Sequence, residues 1–456
     1  MLQLIAGAVD DRGARGIAAA VSRLITAGSL PTGARLPTVR DVARELGVSP
    51  TTVSEAWSSL TRAGAIETRG RSGTFVTSKT RPLRYAQLGG SPLPGVTNDL
   101  STGVPDHDLL PSLTGALKRI GDGRLTTSYL DAPVLPQLEA ALRARWPFPP
   151  EQLTVVDGAL DALDRVTGAV VRFGDHVLVE NPSFPPTLDL LEVVGATVVA
   201  VPVAESGLSV AALAAALADY SPAALFLQPR AHNPTGESMS AERAAALAEV
   251  LAGHPGVTIV EDDHAGDISS APAVSLGSWL PERTVHVSSF SKSHGPDLRL
   301  AAIGGPASVI SAVADRRLLG PGWSSRILQA VLVDLLADPA AAGQVAAARA
   351  EYARRRTALL AALAERDVAA TAADGINLWL TVENEQVAML TLAAHGVAVA
   401  PGTPFEVSPL DGAHVRVTVG LVRDGFEELA DILADAAGAQ SRGSGARARI
   451  HPRGWR

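Results

Sequence analysis

The chain has no cysteine in 456 residues. That excludes disulfides, thiolate nucleophiles, iron–sulfur clusters and cysteine-ligated zinc. Aromatic residues make up only 4% and charged residues 19%, against 46% hydrophobic residues. This balance suits a globular chain and not a disordered one. No uncharged apolar run reaches the roughly 18 residues of a membrane span. The opening residues 1–8 lack the basic start of a secretory leader, and Asp10 and Asp11 follow at once. A cytoplasmic location is therefore expected. Lysine is scarcest of the charged residues: Lys79, Lys118 and Lys292 are the only three among 39 basic side chains. Lysine can shed its proton and form a Schiff base, whereas a guanidinium cannot. A lysine retained in an arginine-using chain is thus a chemical candidate.

The net charge of −8 is unevenly spread. Residues 1–84 carry twelve basic and six acidic side chains, so an acidic body bears a basic head. A basic head suits a polyanionic partner. Within it, Ile17, Ala20, Val21, Leu24 and Ile25 fall at helical spacing, and Leu30-Pro31-Thr32-Gly33 breaks the pattern. Thr38 is placed to cap a helix over residues 39–46 that Gly47 ends, and Ser49 to cap a third helix that Gly64 stops. Two short strands, residues 65–68 and 74–76, flank Arg69-Gly70-Arg71-Ser72-Gly73. Three helices and a hairpin with a basic tip make a winged helix-turn-helix, with Gly47-Val48-Ser49 as the turn. Thr51, Thr52 and Ser54 lie off the third helix's apolar stripe, where short polar side chains suit phosphate and base edges.

The run from Leu36-Pro37-Thr38-Val39-Arg40-Asp41-Val42-Ala43 to Ser49-Pro50-Thr51-Thr52-Val53 resembles the GntR-family DNA-binding domain. So does the ending Ala65-Ile66-Glu67-Thr68-Arg69-Gly70-Arg71-Ser72-Gly73-Thr74-Phe75-Val76. The resemblance implies a double-stranded DNA operator as partner, met by Thr38, Arg40, Thr51, Thr52, Ser54, Arg69, Gly70 and Arg71. Pro50 and Ser54 stand where family members carry arginine, so base readout must differ. Residues 78–98, with several prolines, read as a linker. From Leu100 to about Ala437, apolar runs alternate with alanine-rich helical stretches, the pattern of an α/β fold with a mainly parallel sheet. Residues 441–456, with five arginines and no acid, read as a disordered tail.

Three segments of the body carry chemistry. Lys292 lies in Ser289-Phe290-Ser291-Lys292, with Arg299 downstream; a hydroxyl and a fixed cation suit a phosphate. Ile259-Val260-Glu261-Asp262-Asp263-His264 takes a strand into acids at the edge where α/β ligand sites lie, with a solvated strand end or a metal site as alternatives. Asn233 stands before Pro234 and is held extended after another apolar run. Together they resemble the fold-type-I pyridoxal-phosphate enzymes of the aspartate aminotransferase superfamily. That resemblance implies pyridoxal 5′-phosphate as cofactor and no metal. Lys292 would be the Schiff-base lysine, Asp262 the partner of the pyridine nitrogen, and Asn233 the partner of the ring hydroxyl. Ser289, Arg299 and the helix opening at Gly158-Ala159 would hold the phosphate, and Phe184 would stack on the ring or simply pack in the core. Tyr129 would reach a neighbouring subunit's cofactor, and Arg416 would bind a ligand carboxylate. His264 replaces the tyrosine usual beside the ring oxygen, and its imidazole would still reach that oxygen as a cofactor-binding residue. Val134 and Glu139 replace a usual glycine and arginine.

A GntR-like head (1–77), linker (78–98), aminotransferase-like body (99–440) and basic tail (441–456) resemble the MocR subfamily of transcriptional regulators. The resemblance implies a homodimer in which the body senses pyridoxal phosphate, an amino acid or an amine. Two alternatives stay open: a working aminotransferase with an accessory head, and a DNA-binding protein whose body only dimerises.

Overall fold

The structure is a computed structural model that describes residues 1–77, 83–88, 95–120, 128 and 131–438, the side chains of Arg62 and Arg71 excepted. Tyr129, Lys79, most of the linker and the basic tail lie outside the described residues.

The head comprises α1 (Leu2–Ala8), α2 (Ala14–Thr26), α3 (Val39–Leu46), α4 (Pro50–Arg62), β1 (Ile66–Thr68) and β2 (Thr74–Val76). α1 is one helix more than the periodicity indicates. Seven residues make fewer than two turns, too few for a pattern, yet its Ile5 is buried in the head's core. Thr38 caps α3 by accepting the Asp41 N–H at 3.2 Å while its hydroxyl donates to the Asp41 carboxylate at 2.7 Å. Gly47 ends α3 at φ +68°, a left-handed conformation that costs glycine little. Ser49 caps α4 by accepting the Thr52 N–H at 3.1 Å, and Pro50 occupies the first helical position. Ile17, Val21, Val42, Leu46, Val53, Trp57 and Leu60 close one small core, which the β1–β2 hairpin covers with Ile66 and Val76. Phe173 from the body packs against this core, and Arg15 of α2 pairs with Asp175.

The body is built on a sheet. Its first strands are β3 (Asn98–Asp99), β4 (Gln152–Val156), β5 (His176–Asn181), β6 (Thr197–Ala204), β7 (Gly207–Leu208), β8 (Ala224–Leu227), β9 (Thr258–Asp263), β10 (Thr284–Ser289) and β11 (Ala301–Gly305). Eight of them form one sheet in the order β4-β11-β10-β9-β8-β5-β6-β7. The pairs from β10 to β6 are parallel, and β11 runs against both neighbours. Side chains alternate between faces with period two. Val177 and Val179 therefore enter the core on one face, with Phe226, Val260 and Val287, while Leu178 enters the other with Leu225, Leu227 and Ile259. Both faces are covered, so these strands read as continuous apolar runs, not as alternating ones.

Helices α5 (Thr114–Ile120), α6 (Pro136–Arg145), α7 (Ala159–Val170) and α8 (Pro185–Val193) lie between the early strands. The remaining strands are β12 (Ala370–Thr371), β13 (Leu378–Val382), β14 (Val397–Ala398), β15 (Ala400–Pro401) and β16 (Ala413–Val417), four of which form a second sheet. Four of these run in the order β12-β13-β16-β15, and β14 pairs instead with β3. The helix Pro339–Ala364 and the helix Phe426–Ala437 share the apolar core of this sheet. Among the described residues no single helix is long and apolar enough to cross a membrane.

Candidate functional site

The carboxyl ends of β8, β9 and β10, the opening of α7 and the second sheet converge on a cavity of about 730 Å³. It is lined by Lys292, Asp262, Asn233, His264, Ser289, Arg299, Phe184, Ala159 and Arg416, residues spread over 258 positions of sequence. Gly158 adjoins it as the N-cap of α7.

Asp262 enters the cavity because of strand alternation. Glu261 and Asp263 share the other face of β9 and are occupied there. Glu261 accepts from Ser275 at 2.6 Å and from the Leu276 N–H at 2.7 Å, and Asp263 pairs with Arg230. Asp262 alone of the three acids faces the cavity. Its Oδ2 accepts from Gln228 Nε2 at 2.8 Å, and its Oδ1 is buried without a hydrogen-bond partner among the described residues. Burial pushes its pKa up to about 6, with Asp263 adding to this and the Gln228 bond and Lys292 opposing it. An orphaned carboxylate oxygen is costly, and the N–H of a pyridinium would satisfy it.

Beneath Asp262 lies a layer that sequence reading missed. Gln228 bridges Asp262 to the Asn233 N–H, which donates to Gln228 Oε1 at 2.8 Å. The Gln228 N–H donates to Glu180 at 2.9 Å. Burial raises the Glu180 pKa well above its ordinary value and lowers that of His232 to about 3. The two side chains meet at 3.4 Å, where burial works against a charge on either. Only the position of Gln228, one residue past an apolar strand, hinted at this support.

Lys292 Nζ donates to the carbonyl of Gly103 at 2.8 Å. Burial and the nearby Arg416 cation lower its pKa to about 8, against the pull of Asp262. Gly103 sits at φ +64°, and a Cβ there would come to 3.3 Å from the Arg416 guanidinium, so a side chain would be strained where the backbone passes between the two cations. Condensation with an aldehyde needs the neutral amine. The rate at which pyridoxal phosphate forms its visible band should rise about tenfold per pH unit below about pH 8 and level off above it. Rapid-mixing absorbance across pH 6–10 (a roughly four-unit span) tests this. A rate that climbs without levelling into the ordinary lysine range would contradict it.

Arg416 is 2% exposed. Its guanidinium donates to Asn233 Oδ1 at 3.3 Å and to the Ser101 carbonyl, and lies over the Phe405 ring at 5.4 Å. Burial lowers its pKa to about 10, so the charge persists at neutral pH. Among the described residues no carboxylate lies within ion-pair distance of it. The structural aspartate that could have neutralised it is absent there, and a ligand carboxylate remains as the fitting partner.

At the far end, α7 starts without a side-chain cap, leaving backbone N–H groups of its first turn facing the cavity. Arg299 stands beside it in a left-handed conformation (φ +48°) and donates to the Asp157 carbonyl at 3.0 Å. Gly158 stands at φ +100°, a conformation side chains rarely adopt, and a Cβ there would sit 2.9 Å from Arg299 Nη2. Ser289 is buried on the same wall. A cation, a hydroxyl and an open helix N-terminus fit a phosphate dianion. His264 Nε2 meets the Ala231 carbonyl at 2.9 Å. A carbonyl can only accept, so Nε2 carries the proton. Burial holds the ring neutral, with a pKa lowered to about 4. Among the described residues no group of three or more His, Asp or Glu side chains could hold a metal.

The head presents a second surface. Arg40, Thr51 and Ser54 are exposed at the starts of α3 and α4, and Gly70 is exposed at the hairpin tip. Thr38 is spent on its cap, Thr52 shares a 2.8 Å hydrogen bond with Ser49, and Arg69 Nε donates to Glu67 at 2.7 Å while stacking over Phe75. Beside these contacts the two hydroxyls and the guanidinium keep further hydrogen-bonding positions for DNA. The Arg71 side chain lies outside the described residues.

Residues 97–433 match the family model of aminotransferases of class I and II, and residues 14–76 match that of bacterial regulatory proteins of the gntR family. The aminotransferase match covers well over half of the chain. The chain is also 35% identical over 441 residues to the vitamin B6 salvage pathway transcriptional repressor PtsJ of Salmonella typhimurium, spanning 95% of this chain and 100% of that one. It is 27% identical to the pyridoxine biosynthesis transcriptional regulator PdxR of Corynebacterium glutamicum, over 93% and 95% of the two chains. The aminotransferase LysN of Thermus thermophilus, solved with N-(5′-phosphopyridoxyl)-L-leucine, superposes with a TM-score of 0.69 at 23% identity, over 78% of this chain and 96% of that one. At that identity the likeness shows the fold alone. The fold is a GntR-type helix-turn-helix joined to a fold-type-I aminotransferase domain. The chain belongs to the aminotransferase class I and II family and, with its gntR head, is a DNA-binding transcriptional regulator of the MocR type whose cofactor is pyridoxal 5′-phosphate.

Proposed function

We propose that the body senses pyridoxal phosphate, and an amino compound that reacts with it, and changes the affinity of the head for an operator. The observation that carries this is the buried Arg416 cation without a carboxylate partner, in the same cavity as Lys292. Lys292 would hold the cofactor covalently, Asp262 would pair with its ring nitrogen, and Asn233 would meet its ring hydroxyl. Ser289, Arg299, Gly158 and Ala159 would hold its phosphate, and Phe184 would lie against the ring. When bound, the cofactor supplies an electron sink for amine chemistry. Arg416 would orient an amino acid by its carboxylate. The names of two relatives, from vitamin B6 salvage and pyridoxine biosynthesis, support pyridoxal phosphate itself as one effector. We further propose a cytoplasmic homodimer, with Tyr129 reaching the partner's cofactor.

Sensing is favoured over turnover by His264. Its proton is held by the Ala231 carbonyl and its ring is neutral, so it offers no phenol-like donor to the cofactor's oxygen. The test is a paired titration with the full chain. Allostery is reciprocal, so an amine that changes DNA affinity must have its own affinity changed by DNA by the same factor. Arg40→Ala should weaken DNA binding, lower the salt slope by about one and leave the visible band in place. Rapid multiple turnover with a keto acid, with DNA affinity unmoved by any amine or by pyridoxal phosphate, would favour the enzyme reading.

A further inference from the structure

Within the linker, the described residues 83–88 are docked on the body. The backbone N–H groups of Arg84 and Tyr85 both donate to the Asp189 carboxylate, each at 2.9 Å. Asp189 lies on α8, the helix that Phe184 caps, and is 8% exposed. The Arg84 guanidinium donates to the Glu406 carbonyl at 2.8 Å and to Glu192 at 3.1 Å. A short 3-10 turn over Tyr85–Gln87 follows. Leu88 is then buried among Trp379, Ala400 and Phe405. Phe405 is the ring over which Arg416 lies. Tyr85, Ala86 and Leu88 line the same cavity as Lys292 and Arg416.

A tether needs no buried carboxylate reserved for its backbone, and it needs no leucine under the ligand site. We propose that residues 83–88 are a wall of the ligand cavity, where Tyr85 and Leu88 select the ligand's side chain. This rests on the sensing reading above. The ligand is then read by the very segment that carries the DNA-binding head. Arg416 grips the carboxylate, which every amino acid shares, so discrimination must come from elsewhere in the cavity. Tyr85 is more than half exposed and lines the cavity from the linker side, in the same cavity as Arg416. Leu88 reaches Arg416 through Phe405. A ligand too bulky for this wall displaces it, and displacing it strips Asp189 of both N–H donors. A ligand that fits holds the wall in place. Occupancy and linker position are thus two readings of one equilibrium.

The test uses the full chain loaded with pyridoxal phosphate, titrated with L-alanine, L-leucine, L-glutamate and ethylamine while the visible band is followed. Tyr85→Ala and Leu88→Ala should each change the ratio of affinities between two of the amino acids by about tenfold or more, the scale at which a pocket reads side-chain size. Hydrogen exchange of the peptide containing Arg84 and Tyr85 should slow on addition of the amino acid that binds best. Asp189→Ala should reduce the factor by which that amino acid changes DNA affinity. Unaltered ratios in both variants, with exchange of residues 83–88 indifferent to ligand, overturn the proposal and leave the sensing reading standing. A band that never forms, or that no amine moves, overturns both.

Discussion

Lys292→Ala should abolish the borohydride-reducible visible band of the protein loaded with pyridoxal phosphate, and Lys292→Arg should abolish it equally. Two arguments converge on this side chain. Of the three lysines, Lys118 is exposed on α5 and Lys79 lies in the linker. Among the described lysines Lys292 alone lines the cavity, together with Asp262 and Arg416. Its environment also does what the chemistry requires. An amine of pKa about 10.5 is less than about 1% neutral at pH 8, whereas one lowered to about 8 is about half neutral there. Arginine fails for a different reason: its guanidinium stays protonated and is no nucleophile. The phosphate-binding groups at α7 and Arg299 remain in both variants, so non-covalent binding should persist at reduced affinity. Mass analysis after borohydride reduction gives the answer directly. A cofactor adduct mapped to Lys118, or a surviving band in Lys292→Ala, would show that the site assignment is wrong.

Arg416→Met should separate ligand binding from stability. Truncating one partner of a buried charged hydrogen-bonded pair costs about 2–5 kcal/mol of binding. Affinity for L-alanine should therefore fall by roughly 30-fold to several thousand-fold. Ethylamine, which has no carboxylate, should bind as before. Without ligand the expectation reverses. An unpaired guanidinium at 2% exposure bears a desolvation cost that no carboxylate repays among the described residues. Met fills similar volume without that cost, so the free protein should melt at the same temperature or higher. An arginine serving as a structural bridge to Asn233 and Ser101 would behave otherwise. Its loss would lower the melting temperature and weaken ethylamine and L-alanine alike. Spectral titration and thermal unfolding of the same preparation distinguish the two.

The parts of this protein legible in the sequence are those governed by neighbours along the chain. Thr38, Gly47 and Ser49 announce α3 and α4 because caps and left-handed turns depend on one residue and the few N–H groups beside it. The apolar runs of β5, β8, β9 and β10 announce a covered parallel sheet because burial on both faces removes the need for polar alternation. The scarcity of lysine singles out Lys292 for the same local reason, since no other residue type supplies its chemistry. Even so, those strands run on past the apolar residues, and β9 carries Glu261, Asp262 and Asp263 into the sheet.

What tertiary structure alone decided is who stands beside whom across long separations. Sequence shows three acids in a row; strand alternation and the claims of Ser275 and Arg230 leave Asp262 to the cavity. The Gln228, Glu180 and His232 layer beneath it, drawn from two strand ends, bears no motif. Arg416 could have met a structural aspartate or a ligand, and only packing settles that no carboxylate reaches it among the described residues. The linker is the sharpest case. Its composition reads as a spacer, because proline and glycine report backbone preference and nothing of docking. Asp189, a hundred residues further on, is what binds it, and a pairing across that distance is set by how helices and sheets pack, which no local pattern encodes.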